Sequence, residues 1–379
     1  MRKILFQIHL WTGLVLGAVF ALLGLSGSLL VYDHAILSIG EKPVPQVHGA
    51  GKALPFDAIL AAARNVAADR RATATLQIPP TSQAVAVRFQ KVGRGGSQQA
   101  TAVFVDPATA RVLELRTENP NPLFAFVHQF HGNLLLGRDG RQIIGWLGLG
   151  MLVLGLSGIV LWWPKRGAWK KAFGVRDAAH GYWFHRELHG AVGIWFWAVF
   201  VIVSFSGIAI VFPETVRSVV GLGSVPSGPM IDRRGGVDVA PVAGVKPVGV
   251  DGALALVKAR FPTMEVRSII IPARRSEALR VSLSSRPDGP VTVAFVDPFR
   301  KAIVAVRNPP GVPLENFVAR QRPLHAGNGL GAIWRALVFL SGLLPTLFFT
   351  TGLVMWVKKR QARKGSSEPV LAGVSNGLG

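Results

Sequence analysis

The sequence IHLWTGLVLGAVFALLGLSGSLLVY occupies residues 8–32 and contains no charged side chain. About 20 consecutive apolar residues suffice for a helix to cross the hydrocarbon core of a bilayer. This stretch is therefore predicted to be a transmembrane helix, and residues 143–163, 191–212 and 333–356 meet the same criterion. The sequence predicts a mainly α membrane protein built on a four-helix transmembrane bundle.

The composition of the 379-residue chain agrees with this interpretation. Hydrophobic residues make up 50% of the chain and charged residues only 16%, whereas about 25% charged residues is usual for a soluble protein. The absence of cysteine excludes disulfides, zinc–thiolate sites, cysteine-ligated iron–sulfur clusters, a cysteine nucleophile and haem attached through a C-x-x-C-H sequence. Any metal is therefore expected on histidine, carboxylate or methionine side chains.

Basic residues determine the predicted orientation in the membrane. Arg2 and Lys3 precede a first apolar run that is too long for a signal peptide and has no A-x-A cleavage site after it, so we expect a retained helix. Lys and Arg are also concentrated between spans two and three and in the C-terminal tail. Cytoplasmic segments carry such an excess. Both termini are therefore predicted in the cytoplasm, and the two long segments in the periplasm of a Gram-negative cell.

The predicted organisation alternates the helices of a multi-pass inner-membrane protein with two outer domains. The formal charge of +22 arises from 42 Lys and Arg against 20 Asp and Glu. A basic outer surface either attracts an anionic ligand or lipid headgroups, or is simply solvated. The predicted segments are transmembrane helix 1 at 1–32, outer domain 1 at 33–122, an interfacial segment with helix 2 at 123–163, a cytoplasmic loop at 164–188, helix 3 at 189–212, outer domain 2 at 213–318, an interfacial segment with helix 4 at 319–357, and a cytoplasmic tail at 358–379.

The two halves of the sequence resemble each other. Matching residues of spans one and three are separated by a constant 180 positions, and those of spans two and four by 194. The sequence therefore predicts an internal duplication, with two parallel copies related by a pseudo-twofold axis along the membrane normal. The matches are His9 with His189, Ser26-Gly27 with Ser206-Gly207, residues 157–162 with 351–356, and His131 with His325.

The outer segments repeat as well. The motif Phe-Val-Asp-Pro at 104–107 recurs at 295–298, between strand-like stretches and after an alanine-rich helical stretch. Each outer segment is therefore predicted to form a small α+β domain with one helix and an antiparallel sheet, in which Asp-Pro makes a hairpin turn. The predicted helices are residues 56–68 and 252–260, and the predicted strands include 84–89, 111–115, 279–283 and 302–306.

Four of the nine histidines are paired by the duplication. A pseudo-twofold axis would bring His9 to His189 near the cytoplasmic side and His131 to His325 near the outer side. An imidazole in the apolar layer is costly unless it is paired or ligated, and two facing imidazoles beside small glycines fit a b-type haem with two histidine ligands. The alternative is that these histidines cap helices or lie at lipid headgroups. Zinc or copper transport is less well supported, because the four spans contain no Asp or Glu.

Two further histidines compete with these ligands. His185 lies one helical turn before His189, and His128 one turn before His131. They rank second, as alternative ligands or as partners of a haem propionate, because neither recurs in the other half. The equivalent positions hold Leu5 and Arg322.

The surroundings of the outer pair are predicted from the same pattern. His131 is expected on a short interfacial helix over residues 123–136 that folds onto the bundle, and the segment around His325 looks similar. Four arginines near the paired histidines are candidates for neutralising haem propionates, whereas the three unpaired histidines are predicted to be exposed. The arginines are Arg138, Arg141, Arg186 and Arg322, and the exposed histidines are His34, His48 and His180.

Several motifs together identify a family resemblance that covers almost the whole chain. The sequence resembles the PepSY-associated transmembrane proteins, an iron-regulated inner-membrane group that includes ferric-siderophore reductases. The matching motifs are HLWTG at 9–13, HGNLLLGRDGR at 131–141, LWWPKR at 161–166, HRELH at 185–189 and PLH at 323–325.

The resemblance implies a haem-dependent oxidoreductase that transfers electrons across the membrane to periplasmic ferric siderophores. By position, His9 and His189 would ligate an inner haem b and His131 and His325 an outer one, while the outer segments would be two PepSY-like domains. No separate catalytic residue and no nucleic-acid partner are expected. Because the sequence contains no flavin reductase domain, the electron donor is expected to be a cytoplasmic flavoprotein or a quinol.

Two other functions remain open at this point. One is a PepSY-domain membrane sensor or protease-modulating protein without redox activity, in which the histidines are structural. The other is a di-haem quinol oxidase subunit that serves a different acceptor. The first alternative predicts a protein without haem absorption. The second predicts a haem protein that is reoxidised by an acceptor other than a ferric siderophore.

Overall fold

A computed structural model describes most of the chain. The described residues are 1–40, 42–47, 51–78, 83–92, 98–118, 121–219, 236–285, 291–307, 313–328 and 330–365. Two compact units result, one formed by Met1–Asp33, Phe126–Phe212 and Leu324–Gly379 and the other by His34–Ala125 and Pro213–Pro323.

Two groups of four consecutive strands each follow a helix of an outer segment, and helices make up the rest of the described elements. The helices are α1 Arg2–Val31, α2 Asp33–Leu37, α3 Phe56–Val66, α4 Pro122–Asn133, α5 Gly137–Trp162, α6 Trp169–Ala172, α7 Gly181–Val211, α8 Pro213–Val219, α9 Val250–Arg260, α10 Pro313–His325 and α11 Gly331–Gly365. The strands are β1 Thr73–Gln77, β2 Val85–Val92, β3 Gln98–Val105, β4 Val112–Glu118, β5 Glu265–Ile271, β6 Leu279–Ser284, β7 Thr292–Asp297 and β8 Ala302–Arg307.

Four helices, α1, α5, α7 and α11, are long and apolar enough to cross a membrane, which confirms the four predicted spans. They are longer than the apolar stretches, because a helix continues through polar residues that end the hydrophobic pattern. Helix α7 accordingly begins at Gly181, inside the predicted cytoplasmic loop. Around the bundle the order is α1, α11, α7 and α5, so that α1 and α7 occupy opposite corners.

Small residues allow α1 and α11 to approach each other closely. A side chain at Gly24 would collide with the backbone of Gly342, and buried Ser28 donates a hydrogen bond from its Oγ to the carbonyl of Phe339 at 2.7 Å. Such contacts hold membrane helices together where the hydrophobic effect contributes little. The packing fixes the position of α1, which carries the first paired histidine.

The second unit is built on an eight-stranded antiparallel sheet with the order β4-β3-β2-β1-β5-β6-β7-β8. The sequence predicts two outer domains, each with its own sheet. In the structure β1 and β5 pair in the middle, with Leu76 opposite Ile269, and both side chains are fully buried. One hydrophobic core, which also includes residues of α3 and α9, therefore serves both sequence segments.

The predicted hairpin turns are confirmed. Asp106 accepts a hydrogen bond from the amide of Ala108 at 2.8 Å, and Asp297 one from the amide of Phe299 at 2.8 Å. Each turn is therefore closed by an aspartate side chain that bonds its own backbone two residues later, as such turns require. The predicted helix at 56–68 corresponds to α3 and the predicted helix at 252–260 to α9.

Two shorter helices, α4 and α10, carry the second pair of histidines. The predicted helix at 123–136 is observed as α4, which ends at Asn133 because Leu134 and Leu135 adopt positive φ angles of 52° and 62°. His325 is the last residue of α10. Both histidines therefore lie on helices that are separate from the four long spans.

Candidate functional site: two facing histidine pairs

The first histidine pair joins opposite corners of the helix bundle. His9 lies near the start of α1 and His189 two turns into α7, and their ring centroids are 6.3 Å apart with an angle of 70° between the ring planes. Neither helix packs closely on the other. The two imidazoles therefore meet across the centre of the bundle.

Hydroxyl groups of the two remaining spans orient these rings. Ser157 Oγ lies 2.8 Å from His9 Nδ1, and Thr351 Oγ1 lies 2.8 Å from His189 Nδ1. Each hydroxyl also reaches a carbonyl of its own helix, at 3.2 Å for Ser157 and 2.7 Å for Thr351. A hydroxyl that donates its proton to that carbonyl accepts the hydrogen bond from Nδ1–H, and this tautomer leaves Nε2 with a free lone pair.

The second pair is formed by α4 and α10. The ring centroids of His131 and His325 are 6.0 Å apart, with an angle of 42° between the ring planes. His131 Nδ1 lies 3.0 Å from the carbonyl of Leu23, and His325 Nδ1 lies 2.9 Å from the carbonyl of Val203. A carbonyl only accepts, so Nδ1 is the donor in both rings.

Serines complete the support of the second pair. Ser26 Oγ is 3.2 Å from His131 Nδ1, and Ser206 Oγ is 3.2 Å from His325 Nδ1. Burial, together with the nearby charge of His325, lowers the pKa of His131 to about 4. The His131 ring is therefore neutral at ordinary pH, which is the form that binds a metal.

Two glycines make room for the rings of the second pair, His131 and His325. A Cβ atom built on Gly27 would lie 2.7 Å from Cε1 of His131, and one on Gly207 would lie 3.0 Å from Cε1 of His325. Real Cβ atoms essentially never come as close as 2.7 Å, and 3.0 Å is tighter than nine in ten real Cβ contacts. Each imidazole therefore rests directly against helix backbone, on α1 in one case and on α7 in the other.

The spacing within both pairs fits a metal held between two imidazoles. A metal–nitrogen distance of roughly 2.0–2.1 Å on each side, as in imidazole complexes of zinc, places the two ring centroids about 6 Å apart. The observed 6.3 and 6.0 Å agree with this value. Among the described residues, no group of three or more His, Asp or Glu side chains is positioned to hold a metal ion. Two imidazoles without other protein ligands would fit haem, whose macrocycle would supply four further nitrogens.

A cluster of aromatic side chains begins beside His189 of the first pair. Phe348 lies beside His189 at a centroid distance of 4.9 Å, and Phe200 lies 6.3 Å from Phe348. The rim of Phe349 fills the space over Gly17 on α1. An apolar lining of this kind suits the flat faces of a porphyrin better than a hydrated ion.

The competing histidines occupy other positions. His185 lines a groove between α7 and α11, and its Nδ1 is buried without a hydrogen-bond partner in the described structure. His128 is exposed on α4. His34 and His180 are also exposed, as predicted for these unpaired histidines. His48 lies outside the described residues. The ring contacts of the structure thus bring together the four paired histidines, while the assignment of iron ligands stays a prediction.

The arginines predicted near haem propionates have diverse surroundings. Arg141 donates to the carbonyl of Ile210 at 2.7 Å, and the Arg186 guanidinium lies 5.4 Å from the ring centroid of Trp183. Arg138 and Arg322 are exposed. The positions of these four arginines do not single out any one of them as the partner of a haem propionate.

The sequence interpretation missed the groups that orient the imidazoles. Ser26 and Ser206 are separated by 180 positions, and Ser157 and Thr351 by 194. These hydroxyl positions therefore belong to the repeated motifs. Their recurrence together with the histidines was the signal from which these hydrogen-bond partners could have been identified. The carbonyls of Leu23 and Val203 are backbone groups and leave no trace in the sequence.

The chain is thus a four-span membrane protein with an extramembrane α+β unit and two pairs of facing histidines. The family model of the PepSY-associated TM region matches residues 6–359, and the chain belongs to this family. An uncharacterised protein of Pseudomonas aeruginosa is 23% identical over 280 residues, which cover 68% of this chain and 69% of that protein.

Proposed function

We propose that this protein is a multi-pass inner-membrane electron-transfer protein with two b-type haems that reduces periplasmic ferric siderophores. The observation that supports this most directly is the presence of two imidazole pairs whose centroids are 6.3 and 6.0 Å apart. In all four rings Nδ1 has an oxygen partner. His9 and His189 would hold the inner haem, and His131 and His325 the outer one.

The protein contributes position and environment to this reaction. Haem supplies reversible one-electron chemistry when bound. The imidazole pairs would fix its location, the hydroxyl and carbonyl partners would keep each ring in the ligating tautomer, and the aromatic lining would exclude water. Transfer of one electron to a ferric siderophore converts Fe(III) to Fe(II), for which hydroxamate and catecholate oxygens have lower affinity because they are hard ligands.

The proposal includes an internal duplication and a direction in the membrane. Repetition of the hydrogen-bond partners supports the duplication, because Leu23 and Val203 are separated by the same 180 positions as Ser26 and Ser206. The lysine and arginine bias supports cytoplasmic termini and two periplasmic PepSY-like segments. Electrons would enter from a cytoplasmic flavoprotein or a quinol.

The haem content of the purified full-length protein tests the proposal. A Soret band, α-bands on dithionite reduction and two haems per polypeptide are expected. His34→Ala is the matched control, because His34 is exposed and belongs to neither pair. A protein expressed with excess haem that shows no Soret band would contradict the proposal and favour a sensor or protease-modulating role.

A further inference from the structure

A groove between α7 and α11 contains polar atoms without hydrogen-bond partners. Its volume is about 530 Å³, and apolar side chains form most of its lining. His185 and Thr346 both line it, and His185 Nδ1 and Thr346 Oγ1 are buried with no partner in the described structure. A buried polar atom without a partner is destabilising, so a ligand that supplied partners to these two atoms would be favoured in the groove.

The groove opens on the side of the helix bundle. Phe184 and Leu343 on its rim are 39% and 37% exposed, and both belong to helices long and apolar enough to span the membrane. A molecule that enters from this side therefore comes from the lipid phase. It needs an apolar body and at least two polar groups that can bond an imidazole nitrogen and a hydroxyl.

One wall of the groove is connected to the inner histidine pair. Thr351 lines the groove, and its Oγ1 lies 2.8 Å from His189 Nδ1. A ligand in the groove is thus separated from the His189 ring by a single side chain. This proximity favours a ligand that exchanges electrons with the inner site.

We propose that the groove binds a lipid-soluble quinol, which is the electron donor of the proposed function on which this inference rests. One quinol hydroxyl donates a hydrogen bond to His185 Nδ1, and the second quinol oxygen bonds Thr346 Oγ1. Oxidation breaks both O–H bonds and releases two electrons and two protons, the first proton passing to His185 and the second to solvent water. The quinol becomes a quinone, and the two electrons reduce two ferric siderophores to their ferrous form, so that one quinol serves two acceptors.

The other half of the chain offers a matched comparison. A groove between α1 and α5 is lined by Leu5, Ile8 and Val160. Leu5 stands 180 positions before His185, and Leu152 stands 194 positions before Thr346. The positions equivalent to His185 and Thr346 therefore carry leucines in the first half, and the donor is expected to bind in the groove between α7 and α11.

Two measurements on the purified full-length protein test this site. Binding of decylubiquinone is followed by titration calorimetry, and the reduction rate with decylubiquinol by haem absorption. For His185→Leu and Thr346→Val we expect about a tenfold or greater loss in affinity, the effect of roughly one lost hydrogen bond. The quinol-dependent rate should fall in parallel, whereas haem content and the dithionite-reduced spectrum stay unchanged. The control Leu5→Ala should leave decylubiquinone affinity unchanged.

The outcomes separate this inference from the proposed function. A protein that contains two haems and is reduced by dithionite, but neither binds decylubiquinone nor accepts electrons from decylubiquinol, overturns the quinol site alone. Loss of a haem in His185→Leu also overturns it, because His185 would then be an iron ligand. A protein without haem contradicts the proposed function, and decylubiquinone titration of the same protein still decides whether the groove binds the quinone.

Discussion

At the scale of the residue, the hydroxyl partners of the inner pair should control haem affinity. Ser157→Ala and Thr351→Val each remove the oxygen that lies 2.8 Å from a histidine Nδ1. Loss of such a partner typically weakens metal binding by roughly 10–100-fold. We expect haem titration of the apoprotein to show this loss for one haem only. Ser341→Ala is the control, because Ser341 Oγ donates to the carbonyl of Val338 in its own helix, and equal haem affinity in all three variants would contradict the prediction.

The lack of a side chain at Gly27 and Gly207 should be needed for haem binding at the outer pair. A methyl group on Gly27 or Gly207 would stand 2.7 or 3.0 Å from the Cε1 atom of its histidine, so each ring has to move away from its carbonyl partner. Gly27→Ala and Gly207→Ala are expected to lower the haem count from two towards one per polypeptide. Gly132→Ala places its methyl group in open space and should retain both haems. Two haems in all three variants would show that the rings tolerate the shift.

At the scale of the element, the helices α3 and α9 cap each other. Asp251 accepts hydrogen bonds from the amides of Phe56 and Asp57 at 2.9 Å each, and Asp57 accepts one from the amide of Val250 at 2.7 Å. Loss of a helix N-cap costs about 1 kcal/mol. Asp57→Ala and Asp251→Ala should each lower the free energy of unfolding by about this amount, measured by denaturant-dependent circular dichroism. Asp57→Asn keeps a capping oxygen and should be nearly neutral, and haem content should not change.

The elements also show what the sequence can and cannot predict. Apolar length revealed the four spans, and the Phe-Val-Asp-Pro motifs revealed both hairpins, because these features depend on side chains within a short segment. The pairing of β1 with β5 was missed, since it joins Thr73–Gln77 to Glu265–Ile271 across most of the chain. The recurrence of His9, His131, His189 and His325 predicted which rings meet. The carbonyl partners of His131 and His325 had no signal, because every residue has a carbonyl.

At the scale of the whole molecule, the two histidine pairs are alike in spacing but differ in their surroundings. Hydroxyls of the long helices contact Nδ1 in both pairs, whereas backbone carbonyls contact Nδ1 only in the outer pair among the described contacts. The groove with unpartnered polar atoms adjoins only the inner pair, through Thr351. In the proposed function this asymmetry would give the bundle a direction, with electrons expected to enter at the inner pair and to leave at the outer pair.

That direction can be tested in proteoliposomes that carry a membrane-impermeant ferric siderophore on one side. With decylubiquinol in the bilayer, the wild-type protein is expected to produce ferrous iron at the periplasmic face. His131→Ala and His325→Ala should abolish ferrous iron production, because the outer haem is lost, while the inner haem is still reduced by the quinol and its α-band persists. His34→Ala should behave as wild type. Siderophore reduction at the wild-type rate in His131→Ala would mean that electrons leave from the inner pair, and the proposed sequence of two haems would be wrong.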